Sequence, residues 1–281
     1  MNEFNPENFK LREGEYLPLV GIDYPVDDPY KGLVHFRKVR DLKFDESYPF
    51  LDDSFAYRIQ WCFVNCFVAF GVLFLANKIK FGIKYKGRDV LKRYKKEFSD
   101  GLVCVSNHCF PWDAAAICQA TRHTFWIPML SEHFNSRNGW LLRHFGGIPV
   151  PDDFGGLRKF NQAFDTIHER KEWILIFPEA RNWNFYKPLK PFRKGAFSMA
   201  YRYNCPILPV NISYRERKGI YKLFADPKVP LLTLTLGEPI FPDSSKPRKT
   251  EVDRLLRESH KRICEMGGII QNPWPAYWDE E

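Results

Sequence analysis

Residues 101–121 read GLVCVSNHCFPWDAAAICQAT and contain the signals that decide the fold. Gly101–Ser106 is a short apolar run of the length expected for a buried strand. The stretch from Pro111 to Thr121 predicts a helix, because proline fits the first helical turn, where its missing N–H has no partner to lose. A buried strand that leads into a helix after a few residues is the repeating unit of an α/β fold.

The same alternation continues downstream. Further strands are predicted at 124–129, 147–150, 173–177, 207–213 and 231–236, and helices at 131–145, 157–170, 195–203 and 250–266. Strands separated by helices of this length indicate parallel pairing, because the chain must cross back over the sheet between them. We therefore expect an α/β fold with a largely parallel sheet covered by helices on both faces.

Upstream, residues 61–76 form the uncharged run WCFVNCFVAFGVLFLA. Extended to 59–79, a helix here would be about 31 Å long, close to the roughly 30 Å of a bilayer's hydrocarbon layer. A helix that is apolar all round must be buried in protein or in lipid, so a core helix and a spanning or re-entrant membrane helix both remain open. We expect an N-terminal apolar membrane-associating helical segment over 55–80. The cations that follow it place the downstream domain on the cytoplasmic side of the membrane.

Charge divides the chain near residue 54. Residues 1–54 contain 12 acidic and 7 basic residues, with five prolines, whereas the remaining 227 residues carry a net charge of +13. We predict an acidic irregular arm over 1–54, the apolar helix over 55–80 and one main domain over 81–281. The basic charge of the main domain indicates an anionic partner such as phospholipid, nucleic acid or a phosphorylated substrate.

Several classes of protein are disfavoured by composition and spacing. Hydrophobic residues make up 44% and charged residues 27% of the chain, which excludes wholesale disorder and collagen. The seven cysteines form no CxxC pair, so free thiols are expected and a zinc site is not. The signatures of nucleic-acid-binding folds and of the serine-hydrolase elbow GxSxG are absent, so neither a nucleic-acid partner nor a serine hydrolase is expected.

The loop after the first strand places His108 and Asp113 five residues apart. On one continuous helix they would lie about 140° apart around the axis and could not meet. They can meet if His108 lies in the loop and Asp113 in the first helical turn, and Pro111 supports that break. A carboxylate on one imidazole nitrogen makes the other a better base, although a purely structural role stays open for such a pair.

Two later segments place charged residues at the ends of elements. Glu179 and Arg181 follow the predicted strand 173–177, and Arg193 and Lys194 precede the predicted helix 195–203. Because the carboxyl ends of parallel strands converge, Glu179 is expected near His108. The two cations precede a helix amino terminus, which also favours anions. A solvated turn remains the alternative for Glu179.

Together these segments resemble the glycerolipid acyltransferase family that includes 1-acylglycerol-3-phosphate acyltransferases. The matching blocks are Asn107, His108 and Asp113; Gly146–Val150; Phe177–Glu179; Phe192–Ala196; and Pro206–Val210. The resemblance covers about residues 80–240, and it is specific because five blocks occur in the family's order.

The resemblance implies transfer of a fatty acyl group from acyl-CoA or acyl-carrier protein to the hydroxyl of a lysophospholipid, first of all 1-acylglycerol-3-phosphate. It implies His108 as the general base and Asp113 as its orienting group, with no covalent intermediate and no metal or cofactor. Glu179 and nearby cations would hold the polar acceptor. A membrane surface is the expected location.

Two departures from the family pattern concern the acceptor. Pro151–Asp153 stands where the family usually continues to an arginine. Ala180 stands where the family pattern has a glycine, and the arginine that follows, Arg181, comes one place earlier than in that pattern. The substitute phosphate ligands are, in order of preference, Arg181, Arg158, Arg193 and Lys194. The same chemistry on another lyso-lipid, and a non-catalytic lipid-binding protein that kept the fold, remain alternatives.

Overall fold

The computed structural model describes residues 4–33 and 37–274. The strands are β1 (Lys10–Leu11), β2 (Lys84–Lys86), β3 (Val103–Ser106), β4 (Ile127–Met129), β5 (Gly147–Pro149), β6 (Ile174–Ile176), β7 (Ile207–Arg215), β8 (Leu231–Leu236) and β9 (Ile269–Gln271). The helices are α1 (Phe55–Phe81), α2 (Val90–Arg93), α3 (Asp113–Thr121), α4 (Ser131–Phe134), α5 (Gly139–His144), α6 (Phe154–Glu169), α7 (Gly195–Tyr203) and α8 (Arg248–Met266). Residues 1–3 and 34–36 of the predicted arm and residues 275–281 of the predicted main domain lie outside the described residues.

The central sheet has five strands in the order β2-β8-β7-β3-β6. Three of its four neighbouring pairs are parallel, and β7 pairs with β8 in the antiparallel direction. The largely parallel sheet is therefore confirmed. The antiparallel pair arises where the chain turns back from β7 to β8 with only the short 3₁₀ turn Gly219–Leu223 between them, rather than a crossover helix.

Helices cover both faces of this sheet, as predicted. The Cys104 side chain of β3 packs in the cluster formed with α1 and α3, whereas Val103 and Val105 pack against α7 and α8. A strand buried on both sides needs apolar residues at every position, which explains why its sequence is continuously apolar.

The apolar segment is one helix over Phe55–Phe81, with π-helical turns at Phe63–Val72. It begins after the first 54 residues, so it is internal rather than at the amino terminus. Its length and composition allow it to cross a membrane, but one face packs on the domain. On the other face Phe63, Phe67 and Leu75 are 53%, 61% and 59% exposed. The core-helix interpretation therefore explains only one side of α1.

The single helix predicted over 131–145 is wrong, since the chain forms α4 and α5 with a turn between them. A Cβ on Gly139 would lie 2.0 Å from the carbonyl oxygen of Phe134, so this tight turn requires glycine. The turn lets Asn135 bind the distant arm, where its Oδ1 accepts the N–H of Leu42 at 2.8 Å. Such long-range contacts leave no trace in the local pattern.

The arm has little regular structure, but it is packed on the rest of the chain. Phe44 and Phe50 are buried in a cluster with Phe160 of α6. Near its start, β1 pairs with β9. The division into arm, apolar helix and main domain stays a prediction.

Gly146 provides a test of the turn before β5. Its φ is +105°, and a Cβ there would lie 2.2 Å from the carbonyl oxygen of Phe125. We expect Gly146→Ala to lower the free energy of unfolding by about 2–3 kcal/mol. Urea denaturation measures this change.

The matched control is Gly195→Ala, because a Cβ built at Gly195 has no heavy atom within 4 Å apart from its chain neighbours and the backbone of its own helix. This change should alter the free energy of unfolding by no more than about 0.5 kcal/mol. Equal effects of the two substitutions would contradict the steric role of Gly146.

Candidate active site

The loop after β3 is fixed to β7 by the buried side chain of Asn107. Its Nδ2 donates to the carbonyl oxygen of Ile212 at 2.9 Å, and its Oδ1 accepts the N–H of Ile212 at 2.8 Å. The amide thus pairs both polar groups of a neighbouring strand residue beyond the end of β3. This contact sets the position of the next residue, His108.

His108 and Asp113 are brought together by the break between the loop and α3, as the position of Pro111 predicts. The distance from His108 Nδ1 to Asp113 Oδ2 is 2.5 Å. The His108 side chain is 23% exposed, whereas that of Asp113 is 4% exposed. A buried carboxylate on Nδ1 fixes the tautomer and makes Nε2 the nitrogen that can take a proton from a substrate.

Two further contacts fix the pair, one at the imidazole and one at the carboxylate. Its ring stacks on Phe177 with the ring centroids 4.3 Å apart. Asp113 Oδ1 accepts the N–H of Ala114 at 2.8 Å, so the carboxylate is fixed at the start of its own helix. The geometry can support general-base chemistry, and the catalytic roles of both residues stay predictions.

Glu179 lies next to this loop, as the convergence of strand ends predicts. Its Oε1 accepts the N–H of His108 at 2.8 Å, and its Oε2 accepts the N–H of Lys190 at 3.1 Å. Burial raises the pKa of this carboxyl group. Both oxygens therefore contact protein backbone, and a contact between Glu179 and the acceptor stays a prediction.

Lys190 is a fully buried cation that the sequence analysis did not identify. Its Nζ donates to the carbonyl oxygens of Arg181 at 2.6 Å and Pro29 at 3.1 Å. It also lies 4.5 Å from the centroid of a Trp183 ring. Burial lowers its pKa to about 8, although the charge of Glu179 opposes that shift. No local pattern marks this lysine, because its partners come from distant parts of the chain.

The four predicted phosphate ligands have separate environments. Arg181 forms an ion pair with Glu132. Arg158 pairs with Glu46 of the arm at 3.6 Å, and Lys194 pairs with Asp253 of α8 at 2.5 Å. The Arg193 guanidinium lies 4.2 Å from the ring centroid of Tyr30. Arg181, Arg158 and Lys194 would each have to leave a carboxylate of another element in order to bind a phosphate.

His133 of α4 is a second residue that the sequence analysis missed. Burial lowers its pKa to about 4, although the charge of the adjacent Glu132 opposes that shift. His133 is therefore neutral at pH 7, and it directly follows Glu132, which forms the ion pair with the preferred candidate phosphate ligand, Arg181. Its place one residue before the end of a short helix gave no signal in the sequence.

The arm covers the loop that carries Glu179 and Arg181. The Trp183 Nε1 donates to the carbonyl oxygen of Lys31 at 2.9 Å, and the Tyr24 hydroxyl donates to that of Asn184 at 2.6 Å. A Cβ on Gly32 would lie 3.5 Å from Arg181 Nη1. The arm thus restricts the space around the preferred phosphate ligand.

Among residues 4–33 and 37–274, no group of three or more His, Cys, Asp or Glu side chains is arranged to hold a metal ion. The expectation of a reaction without a metal or cofactor stays a prediction.

The candidate site thus consists of a histidine–carboxylate pair at the carboxyl edge of an α/β sheet. A family model described as acyltransferase matches residues 82–213, a segment that includes all seven predicted site residues. This part of the chain matches an acyltransferase domain, and the predicted resemblance and enzyme class are confirmed.

One solved structure with a related shape is the crystal structure of the 1-acyl-sn-glycerophosphate (LPA) acyltransferase PlsC from Thermotoga maritima. The TM-score is 0.43 and the sequence identity 16%, over 75% of this chain and 95% of that chain. No curated protein sequence matches this chain.

The charge on Lys190 should be required for stability. We expect Lys190→Met to lower the free energy of unfolding by about 3 kcal/mol, because two carbonyl groups lose a donor and Glu179 loses a nearby cation. In a Glu179→Gln background the same change should cost at least about 1 kcal/mol less, as a double-mutant cycle by urea denaturation would measure.

The control is Lys194→Met in the neighbouring segment. Lys194 is exposed and forms a surface ion pair, so its loss should cost less than about 1 kcal/mol. Equal losses at both lysines, or no coupling between Lys190 and Glu179, would show that the buried charges do not act together.

Proposed function

We propose that this protein transfers a fatty acyl group from an acyl thioester to the free hydroxyl of a lysophospholipid, with 1-acylglycerol-3-phosphate as the expected acceptor. The observation that carries the proposal is the 2.5 Å contact between His108 and Asp113 inside the acyltransferase domain. The order of the other matching sequence blocks supports a glycerolipid acceptor. The donor is acyl-CoA or an acyl-carrier protein.

The reaction proceeds by direct attack. Asp113 holds Nδ1 of His108, and Nε2 takes the proton from the acceptor hydroxyl while its oxygen bonds to the thioester carbonyl carbon. The carbon–sulfur bond then breaks, and the imidazolium returns its proton to the leaving thiolate. The ester and a free thiol are released, and His108 is neutral again.

Arg181 is the proposed ligand for the acceptor's phosphate. Arg181 lies two residues after Glu179, whose Oε1 accepts the N–H of His108 at 2.8 Å, which supports a position for Arg181 near the reacting groups. A guanidinium can bind phosphate with two parallel hydrogen bonds, and exchange of Glu132 for the phosphate would keep the charge paired. Arg193, Lys194 and Arg158 remain further candidates, with Glu179 holding the loop.

The proposed location is the cytoplasmic surface of a membrane, with α1 lying along it. The Tyr57 hydroxyl donates to the carbonyl oxygen of Arg143 at 3.0 Å, and Asn77 Nδ2 donates to Gln119 Oε1 at 3.0 Å. A helix held near both ends by one domain cannot cross the bilayer while those contacts persist. Its exposed apolar face would instead enter the acyl layer. The cytoplasmic leaflet is the proposed side, because its anionic lipids would attract the cations that follow α1.

A different lyso-lipid acceptor is the main alternative within the same chemistry, and the departures at Pro151–Asp153 and Ala180 favour testing it. Incubation of the purified protein with acyl-CoA and a panel of lysolipids, followed by lipid mass spectrometry, distinguishes the acceptors. The absence of acyl transfer to every lysolipid would favour a non-catalytic lipid-binding protein.

Removal of the proposed base should nearly abolish turnover. We expect His108→Ala to lower kcat by about 10²–10⁴-fold, because general-base catalysis contributes that much. Asp113→Asn should also lower kcat, since the imidazole loses its orienting anion. Acyl transfer to a lysolipid is measured alongside circular dichroism to show that both variants fold, and near-full activity of either would refute the mechanism.

Loss of the Arg181 guanidinium should weaken the acceptor's binding. We expect Arg181→Ala to lower kcat/KM for a short-chain, detergent-soluble lysophosphatidate by about 10–100-fold, the value of hydrogen bonds to a charged group. Arg181→Lys should restore little of it, because lysine cannot form the paired contact.

The matched control is Arg170→Ala, which removes another ion-paired arginine, the partner of Asp53. Its kcat/KM should be unchanged. If Arg181→Ala also leaves the soluble reaction unchanged, the phosphate ligand must be sought at Arg193 or Arg158.

A further inference from the structure

A cavity of about 320 Å³ lies between α1, the end of α3 and the segment that follows β2. Phe70, Phe74 and Lys78 of α1 form one side of it, and Arg88 and Arg122 lie on the other. None of the residues that line it belongs to the candidate active site.

The topology separates this cavity from His108. β2 is parallel to β8, β8 is antiparallel to β7, and β7 is parallel to β3, so β2 runs opposite to β3. Arg88 follows the end of β2 and therefore lies at the edge where β3 begins, away from the loop of His108. Arg122 follows α3, whose nine residues lead about 13 Å away from Asp113.

The cavity carries unbalanced positive charge. Its lining includes three cations and no carboxylate, and within the described residues no ion pair joins Lys78, Arg88 or Arg122 to an acid. Instead, Lys78 Nζ lies 4.8 Å and Arg88 Cζ 5.7 Å from the ring centroid of Tyr85. Cations held by an aromatic face keep their charge available to an anion.

The floor of the cavity is fixed by hydrogen bonds. Gln119 Oε1 accepts from Asn77 Nδ2 at 3.0 Å and from the Tyr85 hydroxyl at 3.2 Å. Gln119 Nε2 donates to the carbonyl oxygen of Ala69 at 2.7 Å. These bonds join α1 to α3 and hold the Tyr85 ring near both Lys78 and Arg88. The cavity is therefore formed before a ligand binds.

One side of the cavity continues into an apolar stripe on α1. Phe63, Phe67, Phe70 and Phe74 follow each other at intervals of three or four residues, the spacing of one helix face. Phe63 and Phe67 are exposed and their rings stack with centroids 5.4 Å apart. A ligand that fits both parts has an anionic head and a long apolar chain.

We propose that this cavity binds the phosphate of an anionic membrane phospholipid through Lys78, Arg88 and Arg122, with an acyl chain along Phe67 and Phe63. The inference rests on the proposed placement of α1 at the membrane but not on acyl transfer. A lipid bound there fixes the orientation of the domain on the bilayer from the sheet edge opposite to the active site.

The test measures binding of dioctanoyl phosphatidylglycerol to the full-length protein in neutral detergent by native mass spectrometry. The double variant Arg88→Gln/Arg122→Gln should bind it about 10–100-fold more weakly, because two charged hydrogen-bond donors are lost. The matched control is Lys84→Gln/Lys86→Gln, which removes the same charge from exposed residues of β2 that do not line the cavity. The control should bind like the unchanged protein, and circular dichroism shows that all variants fold.

If both double variants lose phosphatidylglycerol binding equally, the lipid is attracted by surface charge in general, and the proposal is overturned. The proposal is also overturned if neither double variant loses binding. If millimolar inorganic phosphate displaces the bound phosphatidylglycerol as well as an added phospholipid does, the cavity binds anions in general, and the proposal of a phospholipid site is overturned. A photoreactive phosphatidylglycerol should crosslink within 63–74, and crosslinks only near His108 would also overturn it. His108→Ala should bind phosphatidylglycerol normally, so this test is independent of the acyl-transfer test.

Discussion

The site depends on one buried carboxylate. Glu179 accepts a backbone N–H from the loop of His108 and another from Lys190, so it joins two loops that carry no strand pairing with each other. A buried carboxylate is costly without a nearby cation and hydrogen bonds, and Lys190 supplies the charge. Lys190 in turn binds the carbonyl oxygen of Pro29, which makes the arm part of the same structure. The position of the candidate base therefore depends on residues from three distant parts of the chain.

The departures from the family pattern have structural explanations. Asp153 caps α6, where its Oδ1 accepts the N–H of Gly156 at 2.6 Å, so this position serves the helix rather than a phosphate. Ala180 has a φ of +64°, a conformation that glycine adopts without strain, so the glycine of the family pattern would fit this position. The next residue is Arg181, and this one-place shift sets the guanidinium beside Glu132.

The helix α1 satisfies two opposed requirements. Its inner face is joined to the domain through Asn77 and Gln119, whereas its outer face is an exposed row of aromatic and aliphatic side chains. Chemistry is proposed at one edge of the sheet and lipid binding at the other. Between them, α1 would hold the domain at a fixed height on the membrane, so that an amphiphilic acceptor can reach His108 without leaving the lipid.

The sequence by itself determined the α/β class, the largely parallel sheet and the meeting of His108 with Asp113. Each depends on short-range chemistry: apolar runs that must be buried, helix starts and a proline break between two residues five apart. Tertiary structure alone decided the antiparallel β8, the division of 131–145 into two helices, and the roles of Lys190 and His133 as neighbours of the site. It also decided which side of α1 is covered. These features depend on contacts between residues far apart in the chain, such as Lys190 with Pro29 and Asn135 with Leu42, and a local pattern carries no information about such partners.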